Sequence, residues 1–455
     1  MRKVDLVTVA PLVNLLDAAI APCGLLTLDA ASRRLQAAAE ALGATSIPIG
    51  RSREGRPLNL VRVGAGPRRS FWYAGAHANE ALGVSTIVTL AEALAAAPAA
   101  LEGPVGFDLV LCLDPDGHVR NERWFGPRIE LLDYYRHFYR GAVAQTPDWD
   151  LPVEYASSGG SLSRPSGLPE AKALAAALTL SRPRTMVGLH NAEVGGAHYP
   201  VLGSASDAWS ALAELTRATG IPLDDRMLDD PGADPLVEGV FPFPSLVPAY
   251  EAVLASGHPD PGSLLPMGES AAQWSTRFGT VTLVTEIPYW TPTSPTPAVP
   301  LAEVAHRAAA EIGPQVDLFG AIVDECRDLL EQSAHGRAVL EAPVVLAKVA
   351  AGLEAIAKAS NPSQVASSQD VARLDLMLAR CVPQRYLGMA LTALDMPTSA
   401  PSKAPRWLPT VRERFDLGLG AITSVPMTAH PIEALVSLQC RAGLLLSATE
   451  PTPVP

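Results

Sequence analysis

His77 and Glu80 stand three residues apart in the segment His77-Ala78-Asn79-Glu80, directly after an apolar run that reads as a strand. An imidazole and a carboxylate at this spacing, in a loop entering a helix, can turn toward one metal ion. Zinc takes nitrogen and carboxylate oxygen ligands, and a catalytic site uses three protein ligands and leaves one position open. His-x-x-Glu also occurs by chance, and the bland alternative is a surface loop. His190 closes the apolar run 185–190 and precedes a glycine-rich turn, which places it at a cleft; a hydrogen-bonded core histidine is the alternative. Glu286 lies near the end of the apolar stretch TVTLVTEI. A carboxylate there is costly unless it is paired, close to a metal or at the strand mouth. A structural ion pair is its bland reading.

The elements that must position these residues follow from periodicity. Residues 28–43 read as a helix ending at Gly43, and 58–63 and 71–75 as strands joined by a turn over 64–69. Helices are expected at 83–98, 169–181 and 207–219, and strands at 107–113, 185–190 and 280–287. Strands alternating with helices predict a three-layer α/β sandwich with a mixed, mostly parallel twisted sheet covered by helices. Active groups in such folds sit at the carboxyl ends of strands. Residues 288–300 hold five prolines and form an extended connector. Beyond it the chain reads as helical over 301–331, 337–359, 368–394 and 430–446, with a Pro-rich break at 395–412. The expected organisation is a catalytic domain over 1–330 and an α-helical C-terminal extension over 331–455, structural or for partner contact.

Composition narrows the function classes. The 455 residues are 48% hydrophobic and 18% charged, a globular balance. A net charge of −12, with no block of like charges, gives nucleic acid or an anionic membrane no electrostatic attraction. Five scattered cysteines without a Cys-x-x-Cys argue against a disulfide framework or a cysteine zinc site. The N-terminal apolar stretch is broken by Asp5, Asn14 and Asp17 and makes a poor signal peptide. No run of 18 apolar residues suggests a membrane span. The expected location is the cytoplasm.

Several short motifs in order then carry a resemblance. They are GRSREGRPLNLVRVG (50–64), YAGAHANEALG (73–83), DPDGHVRNERW (114–124), PEAKAL (169–174), GLHNAEVGG (188–196) and GTVTLVTEIP (279–288). Together, over residues 45–290, the chain resembles the M14 zinc carboxypeptidase family. The resemblance implies one Zn²⁺ per chain held by His77, Glu80 and His190, with Glu286 as the general base toward the attacking water. Arg123, nine residues after Asp114, matches the arginine that stabilises the oxyanion. In Asp133-Tyr134-Tyr135-Arg136-His137-Phe138, Arg136 takes the place of the arginine that grips the substrate's terminal carboxylate, with Tyr135 replacing the paired asparagine. Arg140 is a second candidate for that grip, and a solvated helix arginine is the plain reading of Arg136. His198 and Tyr199 follow the glycine turn and are expected to line the substrate pocket, or to be plain wall residues; His118 is a weaker candidate for the cleft.

The sequence also departs from the family pattern. Asp114 stands where the family's Asn-Pro-Asp-Gly turn begins with asparagine. Leu265 stands about where a substrate-capping tyrosine is usual, and Tyr250 is a distant substitute. The implied function is zinc-dependent hydrolysis of an amide bond next to a free carboxylate, releasing a C-terminal amino acid from a peptide or peptide-like substrate. Two alternatives stand beside it: a zinc amidase or deacylase of an N-acyl amino acid or a biosynthetic or cell-wall intermediate, and a non-catalytic binding protein on the same fold.

Overall fold

The computed structural model describes residues 24–227, 232–293, 299–396 and 404–450. The interrupted apolar stretch at the N-terminus lies outside them. Twelve strands occur among the described residues: β1 (Thr45–Arg51), β2 (Pro57–Val63), β3 (Arg68–Ala74), β4 (Val105–Val110), β5 (Val153–Ser157), β6 (Gly160–Arg164), β7 (Thr185–His190), β8 (Tyr199–Leu202), β9 (Val240–Pro242), β10 (Val281–Glu286), β11 (Trp290–Pro292) and β12 (Met427–Ala429). Eight of them form one sheet in the order β1-β2-β4-β3-β7-β10-β8-β9. The centre, β4-β3-β7-β10, is parallel, and β1, β2 and β8 run antiparallel to their central neighbours. The chain steps from β3 to β4 on one side, while β7 joins on the other. The carboxyl ends of β3, β7 and β10 therefore open on a crevice where ligands bind in such sheets.

Alternation along β3 explains the layers. Phe71 and Tyr73 face a cluster with Leu174, Leu178 and Trp274, while Trp72 faces the opposite cluster. Helix Pro169–Ser181 covers the first face. Helices Leu28–Ala41, Leu82–Ala96, Ser206–Ala218 and Ile432–Ala448 cover the second. The result is the expected sandwich.

The last helix docks under the middle of the sheet. The Trp72 indole donates to Ser70 Oγ at 3.0 Å and Ser447 Oγ at 3.2 Å. A Cβ at Gly443 would come within 2.3 Å of the indole, so only glycine permits this approach. Helix Leu301–Leu330 and the helices after it bury Ile312, Phe319, Leu346, Leu387 and Phe415 in the same continuous core as Trp72.

Prolines account for where the helical reading needed refinement. The expected helix 337–359 is two, Ala334–Val339 and Ala342–Ala359, and Pro343 sits in the first turn of the second. The expected helix 368–394 is one run, but Ala372–Cys381 winds more widely, with Val382 N–H bonding the Met377 carbonyl five residues back. Pro383 follows immediately and lacks the N–H an α-helix would use. Part of the Pro-rich break at 395–412 is helix Ala404–Thr423, which spans Pro409. Burial of Val411, Phe415 and Ile422 offsets the bond lost at Pro409, a case of packing overriding propensity.

Candidate metal centre

The turn after β3 aims the first two residues. Gly75 adopts φ +62°, which bends the chain away from the strand, and Glu80 N–H donates to the His77 carbonyl at 3.1 Å. His77 Nδ1 then lies 2.6 Å from Glu80 Oε1. His190, at the end of β7, brings its Nδ1 to 2.8 Å from Glu80 Oε2 and 3.3 Å from His77 Nδ1. One ligand atom from each residue lies within 4.8 Å of the others. Glu286 is paired in register with His190 across the parallel β7–β10 ladder. Both side chains leave the sheet on the same side at its carboxyl edge.

Further groups lock this arrangement. His190 Nε2 is 3.0 Å from Asp148 Oδ2, which also accepts from Tyr73 O–H at 3.1 Å. A carboxylate behind an imidazole fixes its orientation and raises its basicity, as behind metal-bound histidines generally. The Gln439 amide donates to the His190 carbonyl at 2.7 Å and to Thr285 Oγ1 at 3.0 Å, and its oxygen accepts from Thr86 O–H at 2.6 Å. Gln439 thus ties the ends of β7 and β10 to helix Leu82–Ala96.

Electrostatics fit a cation at the convergence. Burial alone would raise the Glu80 carboxyl, but the two imidazoles outweigh it and hold Glu80 well below the usual carboxylate range. Burial likewise opposes charge on His190, yet Asp148 and Glu80 outweigh it and hold its proton firmly. His77 is pushed down by burial and by the Arg140 guanidinium. The site is built to hold a positive charge among two nitrogens and a carboxylate. That donor set, with both Nδ1 atoms facing each other and His190 Nε2 already engaged, suits zinc.

Residues 35–125 match the family model described as zinc carboxypeptidase, peptidase family M14. That match spans 91 of the 455 residues and includes His77, Glu80 and the Asp114–Gly117 turn. No curated protein sequence matches the chain. Among solved structures it is similar to a candidate metallopeptidase of Shewanella amazonensis, with 14% identity, TM-score 0.39 and coverage of 57% of this chain and 84% of the other. It is similar to a metallo-carboxypeptidase from Burkholderia cenocepacia, with 18% identity, TM-score 0.34 and coverage of 57% and 60%. A third similarity is to bovine thrombin-activatable fibrinolysis inhibitor, with 14% identity, TM-score 0.34 and coverage of 57% and 86%.

A cavity of about 850 Å³ opens beside the candidate metal residues, and His77, Glu80, Glu286, Arg140 and His198 all line it. Arg140 Nη1 donates to Glu80 Oε1 at 3.1 Å and approaches Asn79 Oδ1 at 3.4 Å. His198 is bridged to Glu286 through both backbone groups, at 2.9 Å each way. The structure does not bring the other named residues to the cavity lining. Arg123 lies in the turn Glu122–Trp124, and Arg136 ends helix Leu131–Arg136. Tyr135 is buried behind the site, with its hydroxyl 3.3 Å from Glu193 Oε2. Tyr199 is buried against Thr216, with oxygens 2.7 Å apart. His118 bonds the Leu26 carbonyl at 3.1 Å, away from the cleft. Leu265 and Tyr250 share a small core with Val153 and Leu162. Asp114 caps the helix Pro115–Asn121 by accepting from Gly117 N–H at 2.9 Å, and burial raises its carboxyl to about 6 against the pull of Arg53.

Other functional residues escaped the sequence reading. Asn191 lines the cavity, and its buried Nδ2 has no hydrogen-bond partner, which leaves a donor beside His190. Glu193 accepts from Tyr134 O–H at 2.6 Å and Arg385 Nε at 2.8 Å. Arg373, Arg385 and Gln439 all come from beyond residue 330. Only the motif around His190 carried any signal, because Asn191 and Glu193 lie inside it.

Proposed function

We propose that this protein is a zinc-dependent hydrolase that cleaves an amide bond next to a free carboxylate and releases a C-terminal amino acid. One observation carries the reading: His77, Glu80 and His190 converge as a three-ligand set while Glu286, paired in register with His190, lines the same cavity. A bound zinc, one per chain, supplies Lewis acidity and activates water at neutral pH. Glu286 takes a proton from the attacking water and hands it to the departing amine. Arg140 is the guanidinium nearest the metal ligands and offers positive charge where oxyanion charge develops, the role first expected of Arg123. The substrate is a small peptide or peptide-like carboxylate, with no nucleic acid or membrane as partner. Cys112, Cys326, Cys381 and Cys440 are buried thiols outside any disulfide among the described residues, which supports a reducing cytoplasm as the site of action.

A second reading keeps the metal chemistry and takes an N-acyl amino acid as substrate. The apolar wall that the C-terminal helices raise across the cavity favours it, because such a wall accommodates an acyl chain. Metal analysis of the purified protein tests the shared part, with about one zinc per chain expected. Glu286→Gln is expected to keep the zinc and lose turnover by about 10²–10⁴-fold. Protein that takes up no zinc on reconstitution, or a Glu286→Gln variant with normal turnover, overturns the assignment. Paired substrates with free and amidated C-termini then distinguish an exopeptidase from a general amidase.

A further inference from the structure

The helices beyond residue 330 face the metal ligands across the cavity. On helix Val382–Leu394, Val382, Arg385, Tyr386 and Met389 line it at positions i, i+3, i+4 and i+7, one face of an α-helix. Arg385 is the cation of that face. Its Nε donates to Glu193 Oε1 at 2.8 Å, and Glu193 is further held by the Tyr134 and Tyr135 hydroxyls at 2.6 and 3.3 Å. Beyond that bond, the guanidinium meets Met377 Sδ at 3.9 Å from Nη2 and the Phe138 ring at 5.6 Å from Cζ. A thioether is a weak acceptor. Among the described residues, no oxygen satisfies the two terminal nitrogens.

The other cavity-lining arginines each have an oxygen partner on at least one terminal nitrogen. Arg140 is bonded to Glu80 and Asn79. Arg373 pairs with Asp370 at 2.7 Å and Asp225 at 3.2 Å. Of the three cavity-lining arginines, Arg385 is the one with neither terminal nitrogen bonded to an oxygen among the described residues, and a planar guanidinium binds a carboxylate through two parallel N–H groups. Glu193 lies three residues after His190, so the same loop that carries a metal ligand also orients Arg385. The surroundings are apolar. Phe138 and Met377 flank the fork, and Val382 and Met389 line the same cavity from the Arg385 helix.

We propose that Arg385, supplied by the C-terminal helical region, clamps the substrate carboxylate, and that the residue bearing this carboxylate has a bulky apolar side chain. The inference rests on the hydrolase reading above and names the specificity determinant of that site. Arg385 is a binding residue here, not a base or a nucleophile.

The test is calorimetric binding of N-acetyl-phenylalanine, its amide and N-acetyl-glycine to the zinc-loaded full chain. The unaltered protein is expected to bind the acid at least tenfold more tightly than the amide, and the phenylalanine acid about tenfold more tightly than the glycine acid. Arg385→Gln removes the preference for acid over amide, and Arg385→Lys, which keeps a charge beside Glu193 but loses the planar fork, retains part of it. In turnover, Arg385→Gln raises KM for free-carboxylate substrates with a smaller change in kcat. If the unaltered protein shows no preference, or if folded Arg385→Gln or Arg385→Lys retains it in full, the clamp is wrong. Equal weakening toward acid and amide marks a purely structural arginine and also overturns it. Failure of the hydrolase reading shows separately, as absent zinc or absent turnover, whatever the binding preference.

Discussion

The two walls of the cavity are built from different chemistry. The sheet-edge wall is polar and tightly bonded: His77 and Glu80 line it, and His190 and Asp148 behind them complete a chain of contacts at 2.6–3.0 Å. The helical wall presents Val345, Val349, Leu376, Met377, Val382 and Met389, interspersed with Glu341, Arg373, Asp375 and Arg385. Parallel strands end at one edge in fixed register, so donors on neighbouring strands are held a few ångströms apart, as catalysis and metal binding require. Helices present a broad stripe of side chains, which suits shape and apolar selection. On the proposed function, the comparison separates a wall that performs the reaction from a wall that selects what enters. It also shows where the division is incomplete, because Gln439 crosses from the last helix to the His190 carbonyl.

That comparison can be broken in graded steps. Glu286→Gln on the sheet edge should cost turnover the 10²–10⁴-fold stated above with zinc content intact, whereas Val349→Ala on the helical wall should leave zinc content and kcat on a small substrate unchanged. Equal loss of turnover in both ends the division of labour. Acid unfolding comes next. Burial pushes His118 down to about 4 against an ordinary 6.5, so the fold prefers its neutral form. Its stabilisation is complete above about pH 6.5 and is lost as pH falls through about 4, about 3 kcal/mol in all. His335, in the helical region, is pushed to about 4 in the same way. One acid transition in near-ultraviolet circular dichroism indicates that both walls unfold as a unit; two transitions separate them. His118→Asn should flatten the loss between pH 6 and 4.

Asp148→Asn is expected to weaken zinc affinity about 10–100-fold, measured by competition with a chelator, since the carboxylate behind His190 is lost. Gln439→Leu leaves the His190 carbonyl and Thr285 hydroxyl without their partner and should destabilise by about 1–3 kcal/mol in denaturant melts. A change in zinc affinity in that variant would show that the helical region sets the metal geometry as well as the pocket shape.

The strands were legible because they depend on local pattern, and the candidate metal residues because they fall in ordered motifs at strand ends. Apolar runs ending in His77, His190 and Glu286 define strand ends, and motif order supplied the remainder. The arginines were less legible. Arg136 and Arg123 stand at matching positions in the chain, yet a short helix and a turn carry them away from the cavity lining. The helix over Ala404–Thr423 was hidden by its prolines, since its stability comes from Val411, Phe415 and Ile422 meeting a core built elsewhere.

By itself the sequence determined the layered α/β class, because strand periodicity is a property of short segments, and its ordered motifs, through their resemblance to the M14 family, singled out His77, Glu80, His190 and Glu286 as the candidate site. Tertiary structure alone decided which arginines face the cavity and what closes it. Arg385 meets Glu193 across 192 residues and Gln439 meets His190 across 249. No local pattern encodes such pairs, since they depend on how the C-terminal helices pack against the sheet.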